Sequence, residues 1–215
     1  MLLFTRRSAC IPALFMALLS VAAFPAAPVI DNSTPIKLIE TSSRALLADL
    51  DANRPSYRKD INGLYRAIDT MFLPHVDVNY AAQQVLGKHW RAATPEQRKR
   101  FVTSFYRSLL TTYGDALLDF TGDRLRVLPF QGDAAAATAS VRSEIKRSNG
   151  ATVAVNYRLR KTSAGVWKVY DVVIEGISYV ASFREDYGVK IDRDGLDALL
   201  KQLETTGVSK PATKG

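Results

Sequence analysis

The spacing of apolar positions changes period once along this chain. Up to about residue 120 the apolar residues recur at three- and four-residue steps, the helical period; beyond it they alternate, the strand period. Thr34-Pro35 opens the first predicted helix, the hydroxyl as cap and the proline at the first helical position, with Ile36, Ile39, Leu46, Leu47 and Leu50 as a broken stripe. Asn53-Arg54-Pro55 is expected to stop it. A second helix from about Tyr57 carries Ile61, Leu64, Tyr65, Ile68 and Phe72 and ends at Pro74. A short one spans about 78–85, stopped by Gly87. Thr94-Pro95-Glu96-Gln97 is a capping box, and the helix it starts is expected to reach about Phe120, with Gly122 closing the segment. Along it Phe101, Phe105, Leu109, Tyr113 and Leu117 fall at strict four-residue steps, widened by Val102, Leu110 and Leu118.

Leu125 and Val127 then open a strand that Pro129 limits. In 137–147, Ala139, Val141, Ser143 and Ile145 alternate with Ser140, Arg142, Glu144 and Lys146. In 151–161, Val153, Val155, Tyr157 and Leu159 face one way and Thr152, Asn156, Arg158 and Arg160 the other. Asn149-Gly150 between these strands is a hairpin turn, and Ala164-Gly165 makes the next. Residues 166–175 are apolar on both faces, as in a strand covered on both sides, with Tyr170, Val172 and Ile174 on one of them. Gly176 ends it. Two helices, about 178–187 and 194–203, close the chain before a polar tail at 206–215. The order predicts an α+β fold: helices packed on a twisted antiparallel sheet of four or five strands.

The first 23 residues change the picture of where this fold works. Arg6 and Arg7, an apolar run of about 16 residues interrupted by Pro12, and Val21-Ala22-Ala23 follow the order of a cleaved secretory signal, with cleavage near Ala23. The run is short of the ~20 residues a membrane span needs. The chain carries 29 Lys and Arg against 21 acids, net +8; loss of Arg6 and Arg7 leaves +6 on the mature chain, whose single folded domain is expected at 24–205. The single cysteine, Cys10, leaves with the signal, which excludes a disulfide scaffold and a cysteine zinc site. The charge is spread rather than blocked, so no nucleic-acid arm is present.

Candidate chemistry is sparse. His75 and Asp77 form an H-x-D pair without further metal ligands. His89 precedes Trp90, and packing is its expected role. The run 192–197 resembles half a calcium loop without the closing glutamate, and an aspartate before a helix is a common cap. No G-x-S-x-G, P-loop or G-x-G-x-x-G occurs, and no cofactor is implied. Asp171 and Glu175, four apart on a strand, are expected on one face with Trp167, Val169 and Val173. A carboxylate among apolar groups can serve as general acid or base; a salt bridge or a helix cap is the competing reading. Eleven extended residues, 151–161, span roughly 37 Å. Such a sheet faced by amphipathic helices can enclose an elongated cavity or a solid core, and periodicity leaves both open.

Several stretches together carry a resemblance: Val85-Leu86-Gly87-Lys88-His89-Trp90-Arg91 running into Ala93-Thr94-Pro95-Glu96-Gln97, then Tyr113-Gly114-Asp115, Tyr157-Arg158-Leu159, Trp167-Lys168-Val169-Tyr170-Asp171-Val172 and Glu175-Gly176-Ile177-Ser178. Over about residues 35–205 the chain resembles the MlaC family, the toluene-tolerance or ABC-transporter auxiliary proteins of the Gram-negative periplasm. Tyr179 departs from the family pattern, standing where an aliphatic residue is expected. The resemblance implies an NTF2-like fold with an elongated apolar pocket. It also implies a non-enzymatic shuttle that carries phospholipid between outer and inner membranes and so maintains outer-membrane asymmetry. The implied partners are an inner-membrane MCE-domain ABC transporter complex and an outer-membrane lipoprotein–porin complex. The expected walls of the pocket are Val141, Ile145, Val153, Val155, Tyr157, Leu159, Tyr170, Val172 and Ile174 on the sheet, opposed by Phe101, Phe105, Leu109 and Tyr113. An NTF2-like enzyme using Asp171 or Glu175, and a ligand-free envelope adaptor with a solid core, are the alternatives.

Overall fold

A computed structural model of the chain describes residues 29–119, 121, 125–133, 135–146 and 150–206. The expected signal peptide, Cys10, Gly122, Asn149 and nearly all of the polar tail lie outside them. Helix α1 (Pro35–Lys59) is capped by Thr34, whose hydroxyl accepts the Lys37 N–H at 3.3 Å. It does not stop at Pro55 but runs through it for another turn. Proline removes a donor yet leaves the helical φ available. Tyr57 holds the extra turn in place, buried and bonded through its hydroxyl to Asp49 Oδ2 at 2.7 Å. Asp60, in extended backbone, ends α1 with its N–H on the Ser56 carbonyl and caps α2 (Ile61–Met71) with its side chain.

A 3₁₀ turn (Leu73–His75) leads to α3 (Val78–Leu86), which Gly87 ends at φ +51°, and to the one-turn α4 (His89–Ala92). The capping box of α5 (Pro95–Tyr113) forms as expected, Thr94 and Gln97 each accepting the other's backbone N–H. The helix ends earlier than its periodicity suggests. Gly114 follows, and Asp115–Asp119 is a 3₁₀ turn.

The sheet is an antiparallel meander in the order β1 (Leu125–Val127), β2 (Thr138–Lys146), β3 (Thr152–Lys161), β4 (Trp167–Ile174), β5 (Ile177–Ser178). Glu175 (φ +51°) and Gly176 (φ +85°) form the left-handed two-residue turn between β4 and β5. Helices α6 (Tyr179–Asp194) and α7 (Leu196–Thr206) complete the described chain. The β4 edge is continued at one end by β5 and at the other by a parallel bridge between Val76 and Val169. Both continuations run directly into helices, α6 and α3, so these dock beside β4.

Three separate hydrophobic cores result. One is purely helical: Ala82, Val85 and Leu86 of α3, Phe101 and Phe105 of α5, Phe183, Tyr187 and Ile191 of α6, and Leu199, Leu200 and Leu203 of α7. The second sets Leu38 and Ile39 of α1 on Val141, Leu159 and Trp167 of the sheet. The third joins the far half of α1 to α2 and the second 3₁₀ turn through Leu50, Tyr57, Leu64 and Leu118. Of these three cores the sheet contributes buried side chains to the second.

Candidate functional site: an apolar sheet face

Residues directly opposite in an antiparallel ladder share a face. The register sets Leu125 against Ile145, Ile145 against Val153 and Val141 against Tyr157. It then sets Tyr157 against Val172 and Val155 against Ile174. These side chains form one apolar surface, as alternation predicts. The fourth strand corrects the expectation at one point. Arg158 pairs with Asp171 but Leu159 pairs with Val169, so Tyr170 is an extra, bulged residue. The bulge reverses the phase of the strand. Trp167 and Val169 join Leu159 on the apolar face, while Asp171 and Val173 take the opposite face with Arg158 and Asn156. Tyr170 leaves the wall: its ring packs edge-on against Tyr80 of α3, centroids 5.1 Å apart, and Tyr80 carries Arg160 over its face at 4.4 Å.

The apolar face has a buried end and a stretch that includes half-buried residues. Leu38 and Ile39 seal Val141, Leu159 and Trp167, all at most 1% exposed on the sheet side. Further along, Val153 and Val155 are buried yet belong to none of the three cores. Ile145, Tyr157, Val172 and Ile174 are only half-buried. Tyr157 defines the character of this region. Protein atoms enclose it, and desolvation pushes its phenol above the usual range, with a Ser143 hydrogen bond opposing. Yet water can still touch part of it. Tyr157 also packs against the second core, so it marks the boundary between the buried and the half-buried parts of the apolar face.

The expected opposing wall divides. Phe101 and Phe105 are 0% and 2% exposed, stacked on each other at 5.4 Å and surrounded by Phe183 and Tyr187 in the helical core; they do not face the sheet. A strict four-residue step on a helix of 3.6 residues per turn drifts about 40° each time. The stripe therefore turns away from that core as it proceeds. Leu109 and Tyr113 sit at its half-buried margin. The Tyr113 ring meets Tyr179, the first residue of α6, edge-on at 5.6 Å. The Tyr113 hydroxyl is buried without a hydrogen-bond partner among the described residues, and burial pushes its pKa up to about 12.

The polar candidates resolve into structural ties. Asp171, 3% exposed, accepts the Ser178 hydroxyl at 2.6 Å, the Val180 N–H at 3.0 Å and the Arg158 guanidinium at 3.2 Å. It anchors the first turn of α6 to β4, the helix-cap and salt-bridge reading. Glu175 is not on the strand at all but exposed in the following turn, so the two carboxylates form no pair. Asp77 caps α3 by accepting the Tyr80 N–H at 3.0 Å and pairs with Arg160, while its own N–H reaches the Val169 carbonyl beside the bulge. Desolvation lowers the His75 pKa, with the Lys168 charge adding to it. His89 lies 3.4 Å from Asp192, which also accepts Lys88. Asp192 and Asp194 are the end of α6 rather than a cap before α7. Among the described residues no cluster of three His, Cys, Asp or Glu could hold a metal ion. Nor is any described helix long and apolar enough to cross a membrane.

Alternation could not reveal the Tyr170 bulge or the Asp77–Arg160 tie. The one sequence signal was that 166–175 is apolar on both faces, which conceals its phase.

A profile of the MlaC protein family matches residues 40–205. The chain is 35% identical over 181 residues to the toluene tolerance protein ttg2D of Pseudomonas putida, covering 84% of this chain and 83% of that one. It is 25% identical over 177 residues to the intermembrane phospholipid transport system binding protein MlaC of Haemophilus influenzae, covering 81% and 83%. Among solved structures, a phospholipid-binding protein from Ralstonia solanacearum in complex with a phospholipid superposes with a TM-score of 0.73 at 27% identity, covering 81% of this chain and 96% of that one.

Proposed function

This chain belongs to the MlaC family, and on that footing we propose that it is a periplasmic phospholipid-binding transport protein holding acyl chains against the half-buried stretch of its apolar sheet face. The observation that carries the reading is the half-buried apolar surface of Ile145, Tyr157, Val172 and Ile174, continuous with the buried end at Val141 and Leu159. Burial of an acyl chain contributes ~0.8 kcal/mol per CH₂, so two chains of about sixteen carbons represent roughly 25 kcal/mol. Lipid cannot cross water unshielded at that cost. A carrier need only cover the tails and leave the headgroup wet, which requires no catalytic group. The engagement of Asp171 by three donors supports a non-enzymatic role.

The leader at 1–23 supports export to the periplasm. There the protein exchanges lipid with an inner-membrane MCE-domain ABC transporter complex and an outer-membrane lipoprotein–porin complex. Energy for directional transfer comes from the transporter.

The test is native mass spectrometry, with lipid extraction, on protein expressed with its leader and purified from periplasm without detergent. A near-stoichiometric phospholipid mass is expected. A clean unliganded mass from folded protein that also fails to load from vesicles overturns the reading in favour of an adaptor.

A further inference from the structure

Helices α2 and α5 border a groove of about 300 Å³ that shares no residue with the apolar sheet face. Its size is the lower end of the range for small-molecule pockets. Helical spacing builds its walls. Asn62, Arg66 and Asp69 recur at four- and three-residue steps on α2, and Arg107 and Thr111 at a four-residue step on α5. Tyr65 and Leu110 supply the apolar part. Gly114 lets the Tyr65 ring lie against the end of α5, where a Cβ would sit 2.6 Å from it.

The charged groups of the groove are held with bonding capacity to spare. The Arg107 guanidinium is exposed and, among the described residues, makes no hydrogen bond or ion pair. Arg66 reaches Asp60 at 3.5 Å, and most of its five-donor fork stays unused. Asp69 is half-buried, and its Oδ1 accepts the Tyr106 hydroxyl. Burial, with the Asp69 charge adding to it, raises the pKa of that phenol, so it remains a donor and keeps the carboxylate oriented. Asp69 Oδ2 accepts no hydrogen bond from any described residue. The Thr111 hydroxyl spends its proton on the carbonyls of Arg107 and Ser108, which leaves its oxygen as an acceptor.

We propose that this groove binds a small group carrying an ammonium beside a phosphate, the phosphate held by Arg66 and Arg107 and the ammonium by Asp69. Guanidinium forks take phosphate oxygens two at a time. A bare anion is the poorer match, because it shares the groove with the Asp69 carboxylate, and a bare cation meets two guanidiniums. A zwitterion answers all three charges. The short alkyl link between its charges lies on Tyr65 and Leu110, and an aromatic face attracts an ammonium. None of these residues belongs to the apolar sheet face, so the inference goes beyond the carrier reading and stands without it. A soluble amino phosphate ester and the headgroup of a phospholipid present this same chemistry.

The test is a titration of isotope-labelled mature protein, free of lipid, with O-phosphoethanolamine, followed by backbone amide NMR shifts. Saturable shifts are expected over 62–69 and 107–111. Inorganic phosphate and ethanolamine, each alone, are expected to bind about tenfold more weakly or worse. Arg107→Gln, at an exposed position, is expected to weaken the ester by about tenfold, the loss of one charge-assisted contact. Asp69→Asn is expected to weaken the ester and leave phosphate binding equal or tighter. Lys99→Gln, exposed near the start of α5, removes the same charge outside the groove and is expected to stay within about twofold. Repeating the titration on protein loaded with phosphatidylethanolamine or phosphatidylglycerol identifies the source. A lipid headgroup as ligand shifts these amides in the phosphatidylethanolamine-loaded protein before any ester is added and blocks its binding; a soluble ligand titrates equally into both. Absence of saturable shifts, equal binding of phosphate alone, an unchanged Arg107→Gln protein or an equal loss in Lys99→Gln overturns the proposal. A protein that takes up neither lipid overturns the carrier reading and leaves the groove titration to stand by itself.

Discussion

The buried carboxylate of Asp171 accepts the backbone N–H of Val180 at 3.0 Å, across the β4–β5 turn. This bond, with the Ser178 hydroxyl at 2.6 Å, fastens the N-terminal turn of α6 to the sheet. A helix start leaves N–H donors unsatisfied and carries a partial positive charge, and a carboxylate answers both. Residue 171 thus belongs to the architecture that positions Tyr179 beside Tyr113.

Replacement of Asp171 by Asn places an amide among three donors. Hydrogen bonds to charged groups contribute about 1.5–3 kcal/mol, so a stability loss of that order is expected in urea denaturation. The Asp171→Asn/Glu175→Gln protein that remains folded is expected to keep its bound lipid. Complete loss of lipid from a folded double variant would assign Asp171 a direct part in binding.

The two ends of the apolar face should respond oppositely to added bulk. Val141→Trp, in the sealed core under Leu38, is expected to destabilise by about 1–3 kcal/mol or more through overpacking. Val172→Trp, on the half-buried stretch, is expected to fold with little change in thermal midpoint and to lose bound phospholipid. Similar thermal losses in both would mean that the half-buried stretch is packed like the buried end.

Burial pushes the phenols of Tyr57, with Asp49 adding to it, and of Tyr113 up to about 12, above the ordinary value near 10. The folded state keeps these protons where the unfolded chain releases them. The associated stability is therefore complete below pH 10 and is lost as pH rises from about 10 towards 12. Urea midpoints measured across that window are expected to decline. In Tyr113→Phe the decline should be shallower. Its stability at neutral pH should be equal or higher by up to about 1 kcal/mol, because a buried hydroxyl without a partner is removed. A clear loss at neutral pH would show that the hydroxyl is bonded.

Gly114 follows α5 where a Cβ would lie 2.5 Å from the Leu110 carbonyl oxygen and 2.6 Å from the Tyr65 ring. Gly114→Ala is expected to cost about 1–3 kcal/mol. Tyr65→Ala should relieve only part of it, since the nearer contact is backbone. Full rescue in the double variant would place the conflict in the ring alone.

The sequence by itself determined the elements and most of the sheet. Thr94 and Gln97 announce α5, and Val153, Val155, Tyr157 and Leu159 alternate onto one face, because capping and pleat are local properties read within a few residues. Stretches such as those around Trp90 and Trp167 also carried the family. Local signals misled where packing outweighed them: Tyr57, buried in one core with Leu64 and Leu118, keeps α1 helical beyond Pro55. Only the tertiary structure decided what each apolar surface covers. The extra Tyr170 reverses the phase of β4, sending Asp171 to cap α6 and Val172 to the apolar face. The angular drift of α5 takes Phe101 and Phe105 into a helical core while leaving Tyr113 at its margin. A strand apolar on both sides hides its phase, and a helix stripe does not say which neighbour it meets. Both are settled by packing between residues far apart in the chain.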